Sequence, residues 1–480
     1  MALDNTTSTV PLCIDLDGTL IRSDTLLESI LVLVKESPWL AFAVPLWLWL
    51  GRAHFKARIA KNASLPADSL PYREEFINWA RAQALVRPVV LVTAAHRSIA
   101  DRVAQHLGFF SDVLSTDGQT NLKGRNKAAA LVQRYGVGGF DYAGNDRPDL
   151  DVWRHARGAI LVGARPSLAR AARRVSRVEK EFEPTASMPG QLKAWIRALR
   201  LYQWVKNLLI FLAPAAGHVI FEPLPMQASL LAFLSFGLAA SGTYVINDLL
   251  DLTSDRRHAR KRRRPFASGS LPLSAGMAVA PGLLVLAFVI AIAVNAPFAV
   301  VLAVYVVATT TYSLWIKTKP FLDVATLAAL YTVRVVAGAV AVGIELSFWL
   351  LAVCMYGFLG LALLKRYSEL VYAEGSPSNR VSGRGYSRQD NPVILALGVG
   401  SSLLATLVTA LYIDSQAGQR LYSHIEFLWC LVGLMLLGTG RLWVVSGRGK
   451  MHDDPIVFIA KDKWSLGLLA LAVLSILLAL

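Results

Sequence analysis

The chain has 480 residues, of which 54% are hydrophobic and 17% charged, and it carries a formal net charge of +16. So low a charged fraction, against ~25% in soluble domains, argues against an all-soluble protein and assigns much of the chain to lipid. In such a chain Lys and Arg gather on cytoplasmic loops, so the positive charge points to a membrane surface and phosphate-bearing substrates, with no nucleic-acid partner.

Residues 1–10 are polar and lack a basic start followed by an apolar core, which predicts no cleavable signal peptide and a cytoplasmic first domain. Residues 10–163 alternate strand and helix: the apolar runs 10–14, 89–93, 113–115, 140–143 and 159–162 predict an α/β domain with a parallel sheet covered by helices on both faces. The apolar stretch 38–51 contains Pro45 and is short for a span, so it reads as a core or membrane-contacting helix of that domain. A polar, basic segment ending at Pro189-Gly190 predicts a linker over 164–192. Residues 193–480 are expected to form an all-α membrane domain, opening with an aromatic and basic interfacial helix over 193–206. Nine spans follow, near 206–222, 227–249, 276–294, 296–316, 321–343, 347–364, 392–412, 425–443 and 464–480. Alternate loops carry nineteen Lys and Arg against one, Arg420, which places the basic loops and the first domain in the cytoplasm and the C-terminus outside, in a bacterial inner membrane. Cys13, Cys354 and Cys430 are too widely spaced to indicate a disulfide framework or a zinc site.

The run Cys13-Ile14-Asp15-Leu16-Asp17-Gly18-Thr19-Leu20 puts two carboxylates at the end of an apolar strand, both able to face one site. It resembles the first motif of the haloacid dehalogenase-like phosphohydrolases, over about residues 10–163. The resemblance implies Asp15 as the nucleophile that forms an aspartyl-phosphate and Asp17 as general acid and base. It further implies Thr93, at the end of VVLVT, and Lys127, with Lys123 as runner-up, as phosphate-binding residues, and Mg²⁺ held by Asp15, Asp17 and Asp149. The chain departs from the pattern at Asn145, which replaces the first acid of the fourth motif; neighbouring Asp146 is the available substitute.

At the end of the second span stand Asn247, Asp248, Asp251 and Asp255, followed by a basic run ending in Arg264-Pro265. Spacings of three and four put the three acids on one face if the helix continues, and Mg²⁺ completed by substrate phosphate oxygens would relieve their repulsion. This NDxxDxxxD run with RPFASG resembles the UbiA superfamily of membrane prenyltransferases, whose nine-helix fold matches the expected spans. More narrowly, QWVKN with Lys206, Tyr312 through Lys317 to Asp323, AALYTVRVVAGA with Arg334, KRYSEL with Lys365, Arg366 and Glu369, and Asp453-Asp454-Pro455 with Lys461 resemble its decaprenyl-phosphate phosphoribosyltransferase branch. That branch implies phosphoribosyl pyrophosphate (PRPP) as donor and a polyprenyl phosphate as acceptor. Asp248 and Asp251 would then hold the catalytic magnesium with Asp255, and Lys206, Asn247, Arg264, Tyr312, Lys317, Asp323, Arg334, Lys365, Arg366 and Glu369 would bind substrate. Arg334 stands out independently, because an ionisable residue inside a span is expensive and marks function by default. Three other readings remain: prenyl transfer from a polyprenyl pyrophosphate to an aromatic acceptor, a hydrolase whose membrane half merely anchors it or presents lipid, and a first domain retained only for docking or regulation.

Overall fold

The computed structural model describes residues 10–49, 55, 58–59, 61–116, 122–183, 188–372, 385–451 and 454–480. The chain forms two compact units, one of residues 1–199 with 244–280 and one of residues 200–243 with 281–480. Asp453, named in the sequence reading, lies outside the described residues.

The first unit is built on a six-stranded sheet of order β3-β2-β1-β4-β5-β6, with β1 Leu12–Ile14, β2 Val89–His96, β3 Asp112–Thr116, β4 Asp141–Gly144, β5 Gly158–Val162 and β6 Val178–Phe182. All its pairings are parallel. Alternation along β1 explains the two cores: Leu12 and Ile14 join one buried cluster with Leu91, Ile99 and Ile160, while Cys13 joins the other with Val90, Tyr142 and Leu161. The region expected to be a linker holds helix Pro166–Val175, which buries Leu168, Ala169 and Ala172, and strand β6, which extends the sheet. The stretch 38–51 is not one helix: it holds a 3-10 helix, Pro38–Ala43, and an α-helix, Val44–Trp49. Leu40 and Trp47 pack against buried Leu33, Phe55, Ile59 and Ala63, whereas Trp39 and Trp49 are 69% and 83% exposed, so only part of it serves as core.

In the second unit and along the helices it shares with the first, seven helices are long and apolar enough to span a membrane: Pro223–Leu250, Leu273–Val294, Ala296–Leu314, Leu322–Val342, Phe348–Val371, Arg388–Asp414 and Ile425–Gly447. Lys463–Ala479 is a shorter apolar helix of 17 residues. The described residues therefore do not reproduce the count of nine. The stretch near 206–222 is a 3-10 helix, Leu201–Phe211, followed by the single α-helical turn Leu212–Ala216, where Pro214 lacks a backbone donor and Gly217 closes the turn. The 3-10 helix is seated against helix Leu322–Val342 at Gly338, where an added Cβ would stand 1.8 Å from the Ile210 carbonyl oxygen. That close approach sets Lys206 and Asn207 opposite Arg334.

Candidate functional site

In the first unit the sheet delivers its polar residues to the C-terminal ends of β1, β2 and β4, the usual place for a site in an open parallel sheet. They line a cavity of about 460 Å³ that includes Asp15, Asp17, Lys127, Asn145 and Asp149. Lys127 Nζ donates to Asp15 Oδ1 and to Tyr142 Oη, both at 2.8 Å, and Tyr142 Oη donates to Asp149 Oδ1 at 3.0 Å. Asp149 Oδ2 accepts the backbone N–H groups of Asn145 and Asp146 at 2.9 Å each. Burial opposes the Lys127 ammonium, but Asp15 foremost, with Asp149, holds its pKa above the ordinary value. Burial and then Asp24 push the Asp17 carboxyl up to about 7, although the Thr25 N–H donates to Asp17 Oδ1 at 2.7 Å. Such an acid is poised to give and take protons near neutrality. Asp149 rises to about 6 through burial and the nearby Asp15.

Asn145 Oδ1 accepts a hydrogen bond from Thr19 Oγ1 at 3.0 Å, so the residue in place of the expected acid tightens the first-motif loop. Thr93 is fully buried; its Oγ1 accepts the Ala95 N–H at 3.0 Å, and the cavity wall beside it is Ala94, Ala95 and His96. Lys123 lines the cavity as well. Pro272, Leu273 and Ser274, from far along the chain, complete the wall.

The acidic motif also belongs to the first unit, and it corrects the one-face expectation. The long helix ends at Leu250, Asp251 takes φ −97° and ψ 11°, and a new short helix, Leu252–Arg257, begins beyond it. Arg264 Nη1 donates to Asp248 Oδ1 at 3.1 Å and to Asp255 Oδ2 at 2.7 Å, whereas Asp251 Oδ1 pairs with Lys35 Nζ at 2.7 Å. The Asn247 carbonyl accepts the Asp251 N–H at 2.9 Å. Among the described residues no three Asp, Glu, His or Cys side chains form a ready metal nest. Two carboxylates bonded to one Arg264 nitrogen nevertheless fit Mg²⁺, which takes one or two carboxylates and completes its shell with water and substrate phosphate. Asp15 and Asp149, both lining the first-unit cavity, offer a similar pair.

In the second unit the sequence-selected cations are found in four places. Lys206 and Lys365 donate to the same oxygen, Asp454 Oδ2, at 2.8 and 2.7 Å, with the Asp454 side chain only 7% exposed. Arg366 donates to Asp323 Oδ2 and Glu369 Oε2, both at 2.5 Å, and to Tyr312 Oη at 3.1 Å, while Tyr386 Oη donates to Asp323 Oδ1 at 2.5 Å. Asp323 is fully buried in that network. Arg334, 5% exposed, donates to Asn207 Oδ1 and Tyr305 Oη at 3.0 Å and to the Leu330 carbonyl, so its buried charge is met by neighbours in the fold. Lys317 is on the 3-10 turn Ile316–Thr318, half-buried. Leu364, one residue before Lys365, lines a hydrocarbon-walled groove of about 450 Å³ with Leu209, Phe358, Leu442 and Ile459. Sequence reasoning missed Tyr142, Lys35 and Tyr386 and gave Asp454 little weight: Tyr142 bonds side chains 7 and 15 positions away, and the side-chain partners of the other three lie 63 to 248 positions away.

Residues 208–446 match the family model of the UbiA prenyltransferase family, and residues 12–154 match that of the haloacid dehalogenase-like hydrolases. The chain is 36% identical over 465 residues to an uncharacterised protein, y4nM, of Sinorhizobium fredii, covering 96% of this chain and 89% of the relative. It is 31% identical to nodulation protein NoeC of Azorhizobium caulinodans over 57% of this chain and 88% of that protein. It is 38% identical to decaprenyl-phosphate phosphoribosyltransferase of Mycolicibacterium smegmatis over 41% of this chain and 64% of that protein.

Proposed function

Since the chain belongs to the UbiA prenyltransferase family and carries a haloacid dehalogenase-like domain at its N-terminus, we propose that it transfers a 5-phosphoribosyl group from PRPP to a polyprenyl phosphate and then dephosphorylates the product. The observation that carries this reading is the pair Lys206 and Lys365 on one buried carboxylate, in the same unit as an apolar groove lined by Leu209, Phe358 and Leu364. An anionic head and a long hydrocarbon tail fit that combination. Asp323 supports the phosphoribosyl branch, because a carboxylate buried between Arg366 and Tyr386 is a structural counter-ion and no second metal-binding acid.

In the transfer, a lipid phosphate oxygen forms the new bond to ribose C1 while the C1–oxygen bond to pyrophosphate breaks. Asp248, Asp251 and Asp255 are the residues to hold Mg²⁺, whose positive charge would stabilise the departing pyrophosphate. Lys206 and Lys365 orient the acceptor phosphate, and Arg264 takes up pyrophosphate oxygens. In the second step Asp15 attacks the 5-phosphate of the product, and Asp17 protonates the leaving ribose oxygen. Asp17 then deprotonates the water that cleaves the aspartyl-phosphate. Lys127 neutralises phosphate oxygens beside Asp15. On this reading both reactions take place on the cytoplasmic side of an integral membrane protein in a bacterial inner membrane, and the basic loops support the choice of side.

Purified protein supplied with labelled PRPP, polyprenyl phosphate and Mg²⁺ should yield ribosyl lipid without the 5-phosphate, and Asp15→Asn should accumulate the 5-phosphorylated form. Failure to use PRPP, with prenylation of 4-hydroxybenzoate from a polyprenyl pyrophosphate, would reject the branch. Identical products from wild type and Asp15→Asn would reduce the N-terminal domain to a docking or regulatory module, a reading that Asn145 favours.

A further inference from the structure

Helix Thr25–Glu36 of the hydrolase-like domain touches both chemical centres of the first unit. At its start the Thr25 N–H donates to Asp17. One turn later Glu28, 2% exposed, accepts from Arg256 Nη2 at 2.6 Å and Nη1 at 3.0 Å. Arg256 directly follows Asp255, and its remaining donors are directed inward: Nε reaches the Ala267 carbonyl at 2.8 Å, and Nη1 also reaches the Ser69 carbonyl at 3.1 Å. In its last turn Lys35 pairs with Asp251 at 2.7 Å, across 216 positions of sequence. These contacts act differently. A buried, forked carboxylate–guanidinium pair with its other donors satisfied fixes geometry. A half-exposed ammonium on a carboxylate adjusts local charge and little else.

We propose that this helix is a working part of the transferase's acidic site. Glu28, acting through Arg256, is a positioning residue for the segment that carries Asp255 and Arg264. Lys35 is a resident cation that competes with the metal for Asp251. The inference rests on the reading of Asp248, Asp251 and Asp255 as metal ligands. It makes the N-terminal domain a structural component of the transfer reaction as well as a possessor of its own cavity. Lys35 would have to part from Asp251 for that carboxylate to serve as a ligand, whereas the Glu28–Arg256 pair has to stay intact for the ligands to hold their places.

The test uses the full chain in detergent, with Asp15→Asn as a common background to weaken the hydrolase domain's own metal site. Mn²⁺ binding is followed by electron paramagnetic resonance in the presence of pyrophosphate, alongside steady-state transfer from PRPP. Lys35→Met should tighten Mn²⁺ binding about two- to fivefold, the effect of removing one competing surface cation. Glu28→Gln should weaken Mn²⁺ binding and raise KM for PRPP roughly tenfold, as loss of a group that orients metal ligands does, and Glu28→Asp should recover part of that loss. Because Lys35 is partly exposed, its replacement leaves folding intact and keeps the test decisive even if Glu28→Gln folds poorly. Unchanged Mn²⁺ affinity in Lys35→Met, while Asp251→Asn abolishes binding, would overturn the proposal and leave the metal reading standing. If Asp248→Asn and Asp251→Asn both bind Mn²⁺ like the background protein, the metal reading itself fails.

Discussion

Replacing Gly18 by alanine probes how the first-motif loop accommodates Asn145. Gly18 has φ +76°, and an added Cβ would stand 2.2 Å from Asn145 Nδ2 and 2.8 Å from its Cγ. The left-handed conformation costs a non-glycine residue about 1–2 kcal/mol. The Asn145 amide must also swing away, which takes the acceptor from Thr19 Oγ1, a fully buried hydroxyl bonded at 3.0 Å. Leaving such a hydroxyl unpaired costs about 1–3 kcal/mol, so the domain should lose roughly 2–5 kcal/mol in all. Hydrogen exchange of the amides in β1 and β4 reads this locally, without requiring the whole membrane protein to unfold in one step. Protection there should fall at least about 30-fold, the equivalent of ~2 kcal/mol. Adding Asn145→Ala together with Thr19→Val removes both the collision and the unpaired hydroxyl and should leave a residual loss of about 1–2 kcal/mol from the backbone alone. Wild-type protection in Gly18→Ala would refute the reasoning, as would a triple mutant no better than the single.

Other consequences are equally direct. Asp248→Asn or Asp251→Asn should abolish Mg²⁺-dependent transfer while melting behaviour stays near wild type; full activity in either variant, or in excess chelator, would disprove their role. The Asp17 carboxyl lies up at about 7 against an ordinary 3.8, so the folded domain holds that proton more tightly than the unfolded chain. Its contribution to stability is complete below pH 3.8 and disappears as pH rises through about 7. In chelator, melting of the first domain should therefore decline from pH 5 to pH 8, and Asp17→Asn should flatten the decline; parallel curves for the two proteins would count against it. Arg366→Met strands the fully buried Asp323 and should destabilise the second unit by about 3–5 kcal/mol, with Asp323→Asn in addition restoring much of the loss, as thermal unfolding in detergent would show.

Five of the six strands were legible because buried parallel strands are continuous apolar runs bounded by turns. The sixth was missed: Val178-Glu-Lys-Glu-Phe182 is an edge strand with a charged centre, and such a strand reads as loop even though Phe182 is buried. Helix Pro166–Val175 was hidden by its arginines, since its inward stripe is only Leu168, Ala169 and Ala172. Spacing alone gathered Asp15 and Asp17 correctly onto one wall but misjudged Asp251, because nothing local announces that the helix stops at Leu250. Arg334 shows the limit in another way. Its expense inside a span was readable, whereas Asn207 and Tyr305, which meet that expense, become its neighbours only through the fold.

Asp454 sets the local charge balance at its place in the second unit. With Lys206 and Lys365 both on one of its oxygens, the trio at rest carries only one net positive charge. Burial works against the carboxylate, but Lys365 and Lys206 hold its pKa well below the usual range, so it stays ionised at any pH the cell offers. An anionic head group of the kind proposed above would therefore meet two ammonium groups already half neutralised from within the fold, and its attraction would draw on one unit of positive charge and not on two.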